Sequence, residues 1–144
     1  MYGISQNPDT KDYVITLQNY CIKCNKVYTY PHNNWCKPCA INYLKGNFTN
    51  WTSENEKIDN FIQKRQLKID NSQYLVFEWI SFNQFLDIEE VVNDIISTIY
   101  SAKWKNGPLH WDWNKKKYIR QPNKEITLKC LHNLQNIDQF LNEV

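Results

Sequence analysis

Cys21-Ile22-Lys23-Cys24, eleven residues, then Cys36-Lys37-Pro38-Cys39: this stretch decides how the chain is read. Two C-x-x-C pairs at such a separation set four soft sulfur ligands on two tight turns, a pattern that suits a tetrahedral Zn²⁺. Asn25-Lys26 after the first pair and Pro38 within the second are turn residues, so each pair reads as a metal knuckle. Val27-Tyr28-Thr29-Tyr30 between them is β-prone. Structural zinc, catalytic zinc, redox dithiols and disulfides all use such cysteines. A structural site is the reading taken, because four thiolates leave no position for a reactive water. His32, between the pairs, is a substitute ligand that four cysteines make unnecessary.

Outward from the quartet, 144 residues with 42% hydrophobic and 15% aromatic content can build a core. The start, Met1 to Gln6, has neither a basic n-region nor an apolar h-region, and no apolar run approaches the ~20 residues of a membrane helix. The expectation is an intracellular protein, cytoplasmic or nuclear, with no membrane partner. In a reducing compartment paired C-x-x-C motifs favour metal over disulfide, and the fifth cysteine, Cys130, is expected to be a small buried hydrophobe. A formal charge of +2 does not by itself imply nucleic acid.

In chain order, residues 1–12 read as a flexible leader, 13–50 as the zinc-binding module, 51–84 as a helix and connector. Tyr13 to Leu17 is an expected strand, and Ala40 to Leu44 a helix ended by Gly46. Ser53-Glu54-Asn55-Glu56 has the form of a capping box and opens a helix whose Ile58, Phe61 and Ile62 share a face. Tyr74 to Ile80 is a dense apolar run expected to pack one half of the chain on the other.

Beyond Phe85 the alternation becomes strand-like. Phe85 to Val91 and Thr98 to Trp104 are two arms around a turn at Asn93-Asp94, and Lys124 to Leu131 is a third. Asn136 opens a short terminal helix carrying Ile137, Phe140, Leu141 and Val144, expected to dock on the sheet. The fold class is therefore α+β.

Three strands, an internal lysine and a helix bearing a carboxylate resemble the start of a protein-kinase amino-terminal lobe. Ile126-Thr127-Leu128-Lys129 is similar to the V-A-I-K strand, and Glu143 stands where the helix C glutamate would, so the resemblance implies a Lys129–Glu143 ion pair. The upstream half resembles fungal kinase-domain proteins in which a C-x-x-C pair, Trp35-Cys36-Lys37-Pro38-Cys39 and Asn50-Trp51-Thr52-Ser53 precede the lobe. Residues 85–144 are then a partial kinase-like amino-lobe.

Departures from that family weigh against catalysis. Val92, Asp94 and Ser97 stand where the phosphate-covering loop has glycines, and Asp94 would add a like charge beside the ligand, about 4 kcal/mol at ~4 Å and an effective dielectric of about 20. Neither H-R-D-x-x-x-x-N nor D-F-G occurs. The expectation is a non-enzymatic, pseudokinase-like interaction module with structural zinc, no bound ATP, and a protein partner or self-association through the lobe face. One alternative is the amino-terminal piece of an ATP-binding kinase. The other is a zinc-ribbon nucleic-acid binder, suggested by the aromatics and cations of Trp111 to Arg120, for which the simpler reading is an inserted hairpin. His110 and His132 have no ligand spacing with the cysteines.

Overall fold

The computed structural model describes residues 3–16, 19–31 and 34–144. Among them are three α-helices and three small antiparallel sheets, a mixed α/β architecture. Leu17 and His32, which carry expectations above, lie outside the described residues, as do Met1 and Tyr2 of the expected leader.

Residues 3–12 are not a loose leader. Strand β1 (Gly3–Gln6) pairs with β2 (Tyr13–Thr16) in the register Gly3↔Thr16 to Gln6↔Tyr13. The polar residues that suggested disorder make the turn instead: Asn7 Oδ1 accepts the N–H groups of Asp9 and Thr10 at 2.9 and 3.3 Å, and Lys11 sits at φ 66°. Both strands are exposed along their length.

Helix α1 (Lys37–Gly46) buries Ala40 and Leu44. Pro38 lies in its first turn, where a missing N–H costs nothing. Helix α2 (Glu56–Gln66) starts later than the Ser53 capping box predicts. Glu54 turns through the left-handed region at φ 64°, and Asn55 becomes the cap, its Oδ1 accepting from Lys57 and Ile58 N–H at 3.0 and 3.3 Å. Ser53 and Thr52 serve another acceptor, the carboxylate of Asp59.

The apolar run after α2 is a strap without regular structure. Val76 is buried in the main core, Phe77 meets Phe61 edge-on at 6.0 Å, and Gln66 Nε2 donates to Phe77 O at 2.7 Å. It does join the two halves of the chain. Glu78, 3% exposed at its side chain, receives both Arg120 Nη atoms at 2.7 and 2.9 Å.

β3 (Phe85–Asn93), β4 (Ser97–Trp104) and β7 (Lys124–Leu131) form a sheet with β4 in the centre. The β4–β7 register runs unbroken from Ser97↔Leu131 to Trp104↔Lys124, while β3 is bulged after Leu86 and after Glu90. The middle strand buries Ser97, Thr98, Ala102 and Trp104. On the edge strand β7, Cys130 is exposed, against the expectation of a buried thiol.

Two further expectations about packing are corrected. β5 (Leu109–Asp112) and β6 (Lys117–Arg120) form the hairpin, but it leaves the sheet that flanks it in sequence. Its Leu109, Trp111 and Tyr118 join Trp35, Ala40, Leu44, Ile69 and Val76 in the largest core cluster. Helix α3 (Ile137–Glu143), capped by Asn136 as predicted, docks on α2 rather than on the sheet. Lys57 bonds Asp138 at 2.7 Å, Arg65 Nη2 donates to Val144 O at 2.9 Å, and Ile58, Phe61, Phe140 and Leu141 share the cavity between the helices.

Candidate metal centre

Cys21 and Cys24 are carried by a tight turn. Tyr20 and Val27 form a single antiparallel bridge across its neck, Cys21 N–H donates to Lys26 O at 2.7 Å, and Asn25 N–H donates to Cys21 O at 2.8 Å. Asn25 holds φ at 56°, a conformation asparagine tolerates better than most residues. This half is the knuckle the sequence predicts.

The other half is different. Tyr30 and Trp35 form a second bridge, after which Cys36 is the N-cap of α1 and Cys39 lies in its first turn. Ala40 N–H donates to Cys36 O at 3.0 Å, and Lys37 N–H to Thr29 Oγ1 at 3.1 Å. The second pair is therefore presented by a helix start.

All four Sγ atoms lie within 4.8 Å of one another. Cys21–Cys39 is 3.6 Å and Cys24–Cys36 is 3.4 Å. A tetrahedron of metal–sulfur bonds of about 2.3 Å has edges of about 3.8 Å, so the donor set fits one metal ion at its centre with little movement. Cys21 and Cys36 are buried, Cys24 and Cys39 half-buried.

Protons are unevenly held within the quartet. Burial raises the Cys21 thiol, but the amides of Lys23 and Cys24 and the neighbouring thiols outweigh it and bring the pKa down to about 7. Burial pushes Cys36 up, and burial with the other three thiols pushes Cys39 up strongly. Metal entry thus displaces protons, and loading is favoured by rising pH. Tyr28 packs beside the quartet, its phenol raised by burial and then by the adjacent sulfur charges.

The residues implied by the kinase resemblance are not brought together. Lys129 is exposed on β7 opposite Ile99, and Glu143 is exposed at the end of α3. The ion pairs among the described residues are Lys57–Asp138, Lys103–Asp87 and Arg120–Glu78. At the β3–β4 tip, Asp94 Oδ1 accepts the N–H groups of both Ile96 and Ser97 at 2.8 Å. Those bonds hold its carboxyl below the ordinary range, the Ser97 amide contributing most. His132 Nε2 lies 2.8 Å from Thr98 Oγ1, and His110 is half-buried on β5.

A second feature adjoins the metal centre. A cavity of about 100 Å³ lies between the Cys21–Cys24 turn, α1 and the β5–β6 hairpin, with Tyr28, Tyr43, Trp111 and Tyr118 among its walls and Lys23, Lys116 and Lys117 among its lining residues. Sequence reasoning singled out the basic-aromatic hairpin but not this docking. The available signals were Tyr43, one helical turn after Cys39, and the Trp111↔Tyr118 cross-strand pair.

No family model, no curated protein and no solved structure matches this chain. Among the described residues no helix is long and apolar enough to cross a membrane.

Proposed function

We propose that this chain is a non-catalytic interaction module folded around one structural zinc ion held by Cys21, Cys24, Cys36 and Cys39. The observation that carries it is the convergence of four Sγ atoms within 4.8 Å of one another. An all-sulfur tetrahedral set suits zinc, and it leaves no coordination position at which a water is activated. In a reducing, intracellular setting the thiols stay available to the metal.

Residues 85–144 act in this reading as a kinase-like lobe without kinase chemistry. Support comes from the order of β3, β4, β7 and α3, with Lys129 in the third strand. Support for a dead nucleotide site comes from Asp94, whose carboxylate occupies the two loop amides that a phosphate would otherwise approach. Ile95 and Ile96 beside it are 88% and 72% exposed and give a protein partner or a second copy an apolar contact.

Native mass spectrometry tests both halves of this proposal. One zinc per chain is expected, lost with a chelator and lost in Cys21→Ser or Cys36→Ser, with no adduct on adding Mg²⁺ and ATP. A chain that takes up no metal removes the structural-zinc reading. An ATP adduct that disappears in Lys129→Ala would make the lobe a working nucleotide site.

A further inference from the structure

We infer that the cavity beside the metal centre receives one unpaired base of a single-stranded nucleic acid, with the flanking phosphates held by Lys23, Lys116 and Lys117. Because Lys23 is carried by the Cys21–Cys24 turn, the site depends on the metal-closed module proposed above.

Size selects the occupant first. At about 100 Å³ the cavity is far below the ~300–1,000 Å³ of a cofactor or drug-sized ligand, and it suits a single flat ring. The walls suit a ring as well. Tyr43 and Tyr118 are stacked with centroids 5.3 Å apart and planes at 24°, and Trp111 meets Tyr118 edge-on at 5.4 Å. Trp111 and Tyr118 are 8% and 7% exposed and form a fixed floor, whereas Tyr43 is 39% exposed and reaches solvent.

Charge then separates a nucleic acid from an aromatic peptide. Lys23, Lys116 and Lys117 are exposed, and among the described residues none of them is in an ion pair and no acidic residue lines the cavity. A zinc tetrathiolate carries two formal negative charges, which the three lysines outnumber. An aromatic side chain in the cavity would leave these cations without partners. A nucleotide brings a phosphate with every base, which is the pairing of aromatic platform and cationic track that single-strand binders use.

The test is fluorescence anisotropy of labelled oligouridylate and oligothymidylate with the full, zinc-loaded chain, between about 50 and 200 mM salt. Three phosphate contacts predict a log–log salt slope of about −2 for a single strand. The triple variant Lys23→Glu/Lys116→Glu/Lys117→Glu is expected to abolish binding, and Tyr43→Leu to weaken it about tenfold or more. Circular dichroism and zinc content confirm that both variants are folded. Binding of either oligonucleotide with these losses supports the site, and the ratio of the two affinities says whether ribose is read. A folded, zinc-loaded chain that binds neither oligonucleotide overturns this inference alone. So does binding that survives both variants, or capture of an acidic aromatic peptide in place of the oligonucleotides. Failure to load zinc overturns the module and this site together.

Discussion

Asp59 collects the Ser53 hydroxyl at 2.6 Å, the Ser53 N–H at 2.7 Å and the Thr52 hydroxyl at 2.5 Å, and so ties the loop before α2 to the helix's first turn. Burial alone would raise its pKa, but the Ser53 and Thr52 hydroxyls and the Ser53 amide overcome that and lower it from 3.8. A lowered folded pKa means that the stabilisation is complete above the ordinary value and fades as pH falls through the folded one. Asp59→Ala is expected to cost about 1 kcal/mol at neutral pH, with the difference from wild type closing below about pH 4, as read by urea midpoints. Gly107 offers a harsher test. It sits at φ 68°, and a Cβ there would lie 1.6 Å from Gln121 O. Gly107→Ala should therefore destabilise by at least about 2 kcal/mol, again measured by urea unfolding, since the atoms a Cβ would meet belong to the Gln121 and Pro122 backbone.

The elements show where sequence patterns carry information and where they stop. Alternation in β3, β4 and β7 and the Asn136 cap of α3 were legible because each is decided within a few residues. The cysteine quartet was legible for the same reason, although one pair rides on α1 instead of a knuckle. Choice of partner was not legible. Nothing local tells the β5–β6 hairpin to leave its own sheet for α1, or α3 to prefer α2, because an apolar face specifies burial but not what covers it. Cys130 was misplaced because the usual burial of a lone cysteine does not say whether the face of this edge strand is covered. The strap that links these elements is held from β6 by Arg120, which pairs with Glu78 and makes a second bond to Gly107 O at 2.8 Å. Arg120→Met leaves the 3%-exposed Glu78 carboxylate buried without a partner, and a loss of about 3–5 kcal/mol is expected. Glu78→Met in the same chain should restore much of the loss in thermal unfolding, which a purely steric role for Arg120 would not allow.

For the whole molecule, the main core ignores the linear division into module, connector and lobe. Trp35, Leu44 and Ile69 are its most buried side chains, and Leu109, Trp111 and Tyr118 from the far half belong to the same cluster. On the proposed reading, a chain ended after Gln84 is expected to bind metal, because all four cysteines precede that point, yet to bind a hydrophobic dye and lose cooperative unfolding. Chelation of the 144-residue chain should do the reverse, releasing the Cys21–Cys24 turn while the β4–β7 pairing persists, with hydrogen exchange distinguishing the two. Metal closure is a local event and core closure a distant one.

That separation acquires a direction during synthesis. The last cysteine of the quartet, Cys39, leaves the ribosome about 80 residues before Tyr118, an interval of about 4–16 s at ordinary elongation rates. Through that interval Trp35 and Leu44 have no hairpin to cover them. On the proposed reading, early metal capture would hold the nascent segment in one conformation until its cover is translated, so the supply of metal would bear on biogenesis and not only on the closure of one turn.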